Sequence, residues 1–207
     1  MSESEYSSLV AEILECRRCP LAESRTRAVP GEGSLRARVM LVGEAPGRRE
    51  DEEGRPFVGA AGKLLTALLE SIGVRRSDVY ITNVVKCRPP NNREPTEDEV
   101  KACNPFLRRQ IELVKPKAIV ALGRIAGRTL YEMAGLRWVS VERARGNVVR
   151  AKIQELEVSL VVTYHPAAAL YNPQLRAELE NDFKNLVSRL FREDSWSKRR
   201  ATLEDFI

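Results

Sequence analysis

Short apolar runs recur along the chain at intervals that suit buried β-strands. Each run is rich in Val, Ile or Leu and is too short for a core helix. Glycine or polar residues follow several of them, which is typical of strands that end in turns. The pattern predicts strands at residues 38–42, 78–85, 118–122 and 158–162.

Apolar residues between these runs fall instead at helical spacing. Helices are predicted at residues 62–72, 125–133 and 174–191. A further helix begins after Thr96, whose spacing to Glu99 has capping-box form, and runs to about residue 114. Pro105 lies inside that helix and is expected to kink it or divide it in two. Residues 139–149 are expected to form two short strands around a turn at 145–147.

Alternation of strands and helices is typical of a parallel sheet covered on both faces. The predicted fold class is α/β, a three-layer α/β/α sandwich with a central, mainly parallel four-stranded sheet. One domain over residues 1–194 accounts for this pattern, and the polar, basic residues 195–207 are expected to form a C-terminal tail.

The composition indicates a globular protein but does not indicate its function. The 207 residues are 43% hydrophobic and 30% charged, which is ordinary for a globular domain. No apolar run reaches the length of about 18 residues that a membrane helix needs, and the N-terminus lacks the features of a secretory signal. We therefore expect a cytoplasmic protein. The formal net charge of +5 permits a polyanionic partner without indicating one.

Four cysteines indicate a bound inorganic group. Cys16 and Cys19 form a C-x-x-C pair, whereas Cys87 and Cys103 lie far along the chain. Thiols in a reducing compartment seldom form disulfides, so these four soft ligands suit a zinc ion or a [4Fe–4S] cluster. The spacing does not choose between the two, and scattered buried thiols are the third alternative.

Polar side chains follow the ends of the predicted strands, where open α/β sheets bind their ligands. The first strand leads to Glu44 and then Glu50, the second ends near Asn83, and the fourth leads to His165, the single histidine. Each of these residues alone has a simpler structural explanation. Together, a carboxylate, an amide and an imidazole at one rim indicate a site for a polar planar ligand.

Longer motifs carry a resemblance to a known family. They are GEAPG with its trailing ED (43–51), GRPFVGAAGKLL (54–65), ITNVVKCRPPNNREP (81–95) and TYHPAAAL (163–170). With the cysteines, they resemble the family 4 uracil-DNA glycosylases over about residues 6–191. The resemblance implies the fold of that superfamily and hydrolytic excision of uracil from DNA, which leaves an abasic site in base excision repair. It also implies a [4Fe–4S] cluster on Cys16, Cys19, Cys87 and Cys103.

The resemblance also assigns roles to single residues. Phe57 would stack on a uracil that has been flipped out of the helix, and Asn83 would read its Watson–Crick edge. His165 would stand beside uracil O2 and stabilise the charge that develops on the leaving base.

The turn after the first strand differs from that of the family 1 enzymes. Ala45 stands where they carry a water-activating aspartate, and Gly47 replaces a tyrosine that excludes thymine. Glu50 is therefore the candidate for activating water, whereas Glu44 would shape the turn, and both count as catalytic candidates with His165. The turn residues of the uracil pocket would be Glu44, Ala45 and Pro46, whose backbone N–H groups could donate, except that proline has none.

Two other functions remain open on the sequence alone. A family 5-like glycosylase would accept a broader set of bases, although Glu44 and Asn83 favour family 4. A non-catalytic zinc or iron–sulfur module that binds nucleic acid is the alternative from another class of protein.

Residues 200–207 resemble the short C-terminal motif by which repair proteins dock on sliding clamps. Leu203, Phe206 and Ile207 fit its spacing, but Arg200 stands where glutamine is expected. One helical turn would place the three apolar residues on one face, unless the segment folds against its own domain. The expected partners are uracil-containing single- and double-stranded DNA, with a sliding clamp as the hypothesis for the tail, and we expect a monomer.

Overall fold

The computed structural model describes residues 3–191, and one sheet forms the centre of this part of the chain. Its strands are β1 (Glu32–Gly33), β2 (Val39–Gly43), β3 (Tyr80–Asn83), β4 (Ala118–Leu122), β5 (Val148–Ile153) and β6 (Leu156–Thr163). Their order across the sheet is β1-β3-β2-β4-β6-β5. The four central strands, β3-β2-β4-β6, are parallel, as predicted.

Helices connect the strands. They are α1 (Glu3–Glu15), α2 (Leu21–Ser24), α3 (Arg48–Glu53), α4 (Ala60–Ser71), α5 (Glu97–Val114), α6 (Arg124–Met133), α7 (Val141–Ala144), α8 (Pro166–Ala169), α9 (Pro173–Asp182) and α10 (Ser188–Leu190). Turns of 3-10 helix lie at Arg76–Asp78 and Pro90–Asn92, and a π-helical turn at Phe183–Val187 joins α9 to α10. The helix predicted at 174–191 is thus present, with a change of winding near its middle.

The helices cover both faces of the sheet. Successive residues of a strand point to opposite faces, so Met40 and Leu41 of β2 enter different cores. The core of Met40 is closed by α1, α5 and α6. The core of Leu41 is closed by α4, α9 and the π-helical turn. The predicted three layers are therefore confirmed.

The sheet has six strands rather than the predicted four. β1 pairs antiparallel with β3, and β5 pairs antiparallel with β6, so each edge of the parallel core carries one reversed strand. β5 and β6 form a hairpin closed by the pair Ile153 and Leu156, with Gln154 at φ 55° in its tight turn. The additional strands extend the sheet without changing the α/β class.

Of the two short strands predicted at residues 139–149, the first is wrong, because residues 141–144 form the helix α7. The Ser140 hydroxyl accepts a hydrogen bond from the backbone N–H of Arg143 and caps α7. A serine that satisfies a nearby backbone donor favours a helical turn over a sheet ladder. Only the last two residues of the predicted stretch join the sheet, as the start of β5.

α5 begins as predicted and is not divided at Pro105. The backbone N–H of Glu99 donates to Thr96 Oγ1 at 3.3 Å, and the N–H of Thr96 donates to Glu99 Oε2 at 2.7 Å. Pro105 removes one backbone donor from the helix interior. The helix continues because its apolar face, which includes Phe106 and Ile111, is buried in the core.

Across residues 3–191 none of the helices combines the length and the apolar character needed to cross a membrane. The predicted tail, together with Leu203, Phe206 and Ile207, lies outside the described residues.

Candidate active site

The carboxyl ends of β2 and β3 bring a glycine and an amide together. Gly43 and Asn83 are paired in the register of these strands. A Cβ atom on Gly43 would lie 2.4 Å from Asn83 Oδ1 and 2.5 Å from Phe57 Cζ. Any larger residue at position 43 would collide with both side chains, so the glycine lets the phenyl ring and the amide approach each other.

The Phe57 ring lies beside the imidazole of His165. Their ring centroids are 5.6 Å apart, and the ring planes are inclined by 29°. Phe57 has φ 52°, in the left-handed region, which costs a residue with a side chain about 1–3 kcal/mol. Strain of this kind persists only where the surrounding contacts enforce it, and it is concentrated at ligand sites.

Asn83 offers a buried amide. The residue is 1% exposed, and among the described residues its Oδ1 atom has no hydrogen-bond partner. An unpaired buried acceptor costs about 1–3 kcal/mol, which a ligand with a matching donor would recover. The backbone of the same residue is fixed, because Lys86 Nζ donates to the Asn83 carbonyl at 2.5 Å and to Thr82 Oγ1 at 2.8 Å.

Hydrogen bonding sets the tautomer of His165. The backbone N–H of Ala167 donates to His165 Nδ1 at 3.1 Å, so the proton of a neutral ring is on Nε2. Burial lowers the pKa of His165 to about 4, although the charge of Glu50 raises it in part. Gly123, at φ 90°, packs against this side chain, since a Cβ there would lie 2.9 Å from His165 Cβ. At neutral pH the ring is a neutral donor.

Glu50 bridges the turn after β2 and the start of α4. Its Oε1 atom accepts the backbone N–H groups of Val58 at 2.9 Å and Gly59 at 2.8 Å. Its Oε2 atom lies beside the turn, where a Cβ on Gly47 would be 2.8 Å away. Glu50 lies near enough to His165 for its charge to raise the pKa of that ring, and one of its oxygens is bonded to the backbone.

Glu44 is half-buried directly after β2. Its carbonyl accepts the backbone N–H of Val85 at 3.1 Å, which ties the turn to the end of β3. Burial raises the pKa of Glu44 to about 6, Glu94 adds to the rise, and Arg124 opposes it. Ala45 and Pro46 continue this turn, half-buried and buried respectively. The turn predicted to contact uracil thus lies at the same rim as Asn83.

Three charged residues that received no role from the sequence bind backbone groups in or around the site. Asp51 is 3% exposed and accepts the backbone N–H of Thr26 at 2.9 Å, which anchors a loop to α3. Lys86 is 1% exposed beneath Asn83. Arg76 donates to the carbonyl of Phe57 at 3.0 Å. Asp51 and Lys86 lie within the family motifs, whereas no sequence signal distinguishes Arg76.

The four cysteines line one small cavity. Cys16 and Cys19 lie between α1 and α2, Cys87 follows β3, and Cys103 belongs to α5. The apolar part of the wall includes Ile13, Ala22, Ala102 and Phe106. Three separate parts of the chain thus bring thiols to the same place.

Two hydrogen bonds reach sulfur atoms at this cavity. Arg25 Nη1 donates to Cys87 Sγ at 3.0 Å, and the backbone N–H of Lys86 donates to Cys103 Sγ at 3.3 Å. Burial raises the pKa of Cys103 to about 11, so a thiolate there would need a compensating positive charge. Within residues 3–191 no three His, Cys, Asp or Glu side chains are grouped so as to hold a metal ion.

Related proteins share most of the length of this chain. The family model described as the uracil DNA glycosylase superfamily matches residues 30–191. The type-4 uracil-DNA glycosylase of Sulfurisphaera tokodaii is 51% identical over 197 residues, 95% of this chain and 87% of that protein. The type-4 enzyme of Pyrobaculum aerophilum is 54% identical over 170 residues, 82% and 87% of the two chains. The type-5 uracil-DNA glycosylase of the same organism is 36% identical over 193 residues, 78% and 82% of the two chains.

Proposed function

Because this chain belongs to the type-4 uracil-DNA glycosylases, we propose that it hydrolyses the N-glycosidic bond between uracil and deoxyribose in DNA. The products would be free uracil and an abasic site, the first step of base excision repair. The proposal rests above all on the buried Asn83 amide, whose Oδ1 has no partner among residues 3–191 and lies beside the Phe57 ring.

Asn83 would select uracil by hydrogen bonding. Its carboxamide can accept from uracil N3–H and donate to O4. Cytosine presents the reverse pattern at these positions and would leave both polar groups buried without partners, which discriminates strongly. Phe57 would stack on the flipped-out base and hold it in the plane of the amide.

His165 would stabilise the leaving group. Breaking the bond leaves an oxocarbenium-like sugar and a uracil anion. The neutral Nε2–H would donate to uracil O2 as negative charge grows there, and the backbone N–H groups of Glu44 and Ala45 would add donors. A ring that stays neutral needs no proton from solvent to act in this way.

Glu50 would orient the attacking water. The backbone hydrogen bonds to Oε1 fix the Glu50 side chain, and its Oε2 atom lies beside the turn at Gly47. A carboxylate in this place would also stabilise the positive charge of the sugar. Glu44 would shape the turn, and its half-buried carboxyl is the second candidate for the water.

We also propose that Cys16, Cys19, Cys87 and Cys103 ligate a [4Fe–4S] cluster. This proposal is supported by four thiols on one cavity, with N–H groups directed at two of the sulfurs. Binding of the cluster would draw the sulfurs closer together, since within residues 3–191 no three of them are grouped for a metal ion. When bound, the cluster would supply a cross-link between the N-terminal segment, the loop after β3 that contains Cys87, and α5. The residues that we assign to the reaction lie outside this cavity.

The proposed partner is uracil-containing DNA, single- or double-stranded, and the proposed working form is a cytoplasmic monomer. For the tail, we propose docking on a sliding clamp through Leu203, Phe206 and Ile207. Clamp binding by the intact chain should be lost on truncation after Ser197. Equal binding by the two chains, or none by either, would remove the clamp from the proposal.

One assay tests the central function. Purified, cluster-loaded protein should release free uracil from oligonucleotides without added divalent metal. A non-catalytic module would bind the DNA and release nothing. Excision of hypoxanthine or of mismatched thymine at a similar rate would indicate type-5-like breadth instead. Metal analysis should find about four irons and four sulfides per chain, whereas stoichiometric zinc without sulfide would refute the cluster.

A further inference from the structure

Charged side chains hold the segment that carries Phe57 from two sides. On one side, Arg76 donates to the carbonyl of Pro56 at 2.9 Å and to the carbonyl of Phe57 at 3.0 Å. On the other side, Glu50 accepts the backbone N–H groups of the next two residues. Four successive residues are therefore fixed through their backbone by side chains that lie elsewhere in the sequence.

Arg76 is itself held in place. It donates to Glu32 Oε1 at 2.5 Å and to Thr66 Oγ1 at 3.3 Å. Glu32 is paired in turn with Arg55 at 2.8 Å. The side chains of Arg76 and Glu32 are 21% and 24% exposed, so solvent screens their ion pair only in part. A planar guanidinium with acceptors on several sides has little freedom to reorient.

Phe57 needs this support because of its backbone conformation. Its left-handed φ of 52° is not one that a phenylalanine adopts by preference. The first turn of α4 also approaches it closely, because Gly62 has no side chain and a Cβ there would collide with the Phe57 carbonyl. Relaxation of φ at Phe57 would turn the ring relative to the Pro56 carbonyl and would carry it away from Asn83 and His165. The guanidinium binds the carbonyls on both sides of this torsion and so opposes its relaxation.

We propose that Arg76 is a positioning residue for uracil excision, which keeps the Phe57 ring in place by binding the carbonyls of Pro56 and Phe57. The proposal rests on the stacking role proposed for Phe57. Arg76 acts through the backbone, so its loss should displace the ring without removing any group that contacts the base. A displacement of about 1 Å at a reacting site can slow a reaction on the order of 100-fold.

A double-mutant cycle on the cluster-loaded protein tests this proposal. The variants are Arg76→Gln and Phe57→Leu, alone and combined, and the readout is the single-turnover rate of uracil release. Phe57→Leu keeps an apolar side chain but removes the aromatic face. Arg75→Gln is the matched control, because its side chain is 80% exposed and pairs with Asp78 in the same turn. That control should excise at the parent rate.

Arg76→Gln should slow excision roughly 10- to 100-fold in the parent. It should slow excision less than about threefold in the Phe57→Leu background, because the two residues act as one unit. Equal slowing in both backgrounds, or none in either, would overturn the proposal. A Phe57→Leu variant with the parent rate would remove the stacking role and this proposal with it, whereas absence of uracil release by the parent would refute the proposed function itself.

A folding defect is separated from a positioning defect by a second variant. If Arg76→Gln lacks the circular dichroism spectrum of the parent, the cycle is repeated with Arg76→Lys. Lysine keeps the charge that pairs with Glu32 but lacks the planar fork that binds two carbonyls. The same criteria apply, so coupling to Phe57 supports the proposal and equal slowing in both backgrounds overturns it.

Discussion

Replacing His165 with alanine should slow the chemical step far more than it weakens DNA binding. Nε2–H of this residue is a fixed donor, because the Ala167 N–H occupies Nδ1. Removing one preorganised donor from a developing anion costs about 2.7–4 kcal/mol, or roughly 100- to 1000-fold in rate. The affinity for uracil-containing DNA should change little, since the interaction grows only as charge reaches O2.

The pH profile tests whether His165 acts as a neutral ring. Its pKa is lowered from 6.5 to about 4 by burial, so the ring stays neutral throughout the range above pH 5. The rate of excision should therefore show no inflection near pH 6.5 that belongs to this residue. Glu44, whose pKa burial raises to about 6, also titrates in this window. The profile should be measured in the Glu44→Gln variant as well, to remove that contribution.

Single-turnover excision, with the enzyme in excess over a one-uracil oligonucleotide, isolates the chemical step. Binding is measured separately with a non-hydrolysable uracil analogue in the same sequence. A parent-like rate for His165→Ala would refute the role of this donor. An inflection near pH 6.5 that survives Glu44→Gln and disappears in His165→Ala would show that the ring titrates near its ordinary pKa, contrary to our reasoning.

Three further changes have defined outcomes. Asn83→Asp replaces the amide donor with an acceptor and should lower kcat/KM for uracil excision at least about tenfold, whereas an unchanged value would contradict the base-reading role. Glu44→Gln should stabilise the protein in urea unfolding at pH 8 and change its stability little at pH 4. Burial raises the folded pKa of the Glu44 carboxyl from 4.5 to about 6, so the parent loses stability as the pH rises from 4.5 through 6, and Gln does not. Because Glu44 is only half-buried, solvent screening should keep the gain at pH 8 to about 1 kcal/mol or less, and equal stability of the two proteins at pH 8 would contradict the raised pKa. Cys103→Ala should lower the melting temperature and the iron content together, and a variant that keeps both would exclude this cysteine as a ligand.

The strands that the sequence predicted are those buried on both faces. Residues 118–122 coincide with β4, because a strand covered on both sides must be apolar throughout. Only the first two residues of β5 were predicted, because its exposed positions carry Arg150 and Lys152, which interrupt the apolar run. β1 has too few residues to show any periodicity. Edge strands with one solvated side leave the weaker signal.

The part of the site that lies at the ends of the parallel strands could be predicted from the order of strands and helices. Asn83 is the last residue of one parallel strand and His165 follows another, and parallel strands end at one edge of the sheet. The support of Phe57 by Arg76 was not predictable. It joins a guanidinium to a backbone carbonyl nineteen positions away, and no periodicity of side chains encodes such a contact.

Lys86 links the end of β3, where the Asn83 amide lies, to the wall of the cysteine cavity. Its Nζ donates to the carbonyl of Asn83, and its backbone N–H donates to Cys103 Sγ. The number of residues between Asn83 and Cys87 is therefore constrained. Inserting or deleting one residue there would move either the amide out of the pocket or a thiol out of the cavity. The hairpin turn at Gln154, in contrast, can lengthen without disturbing either, so diverging sequences should vary in length at the hairpin and keep the Asn83–Cys87 interval constant.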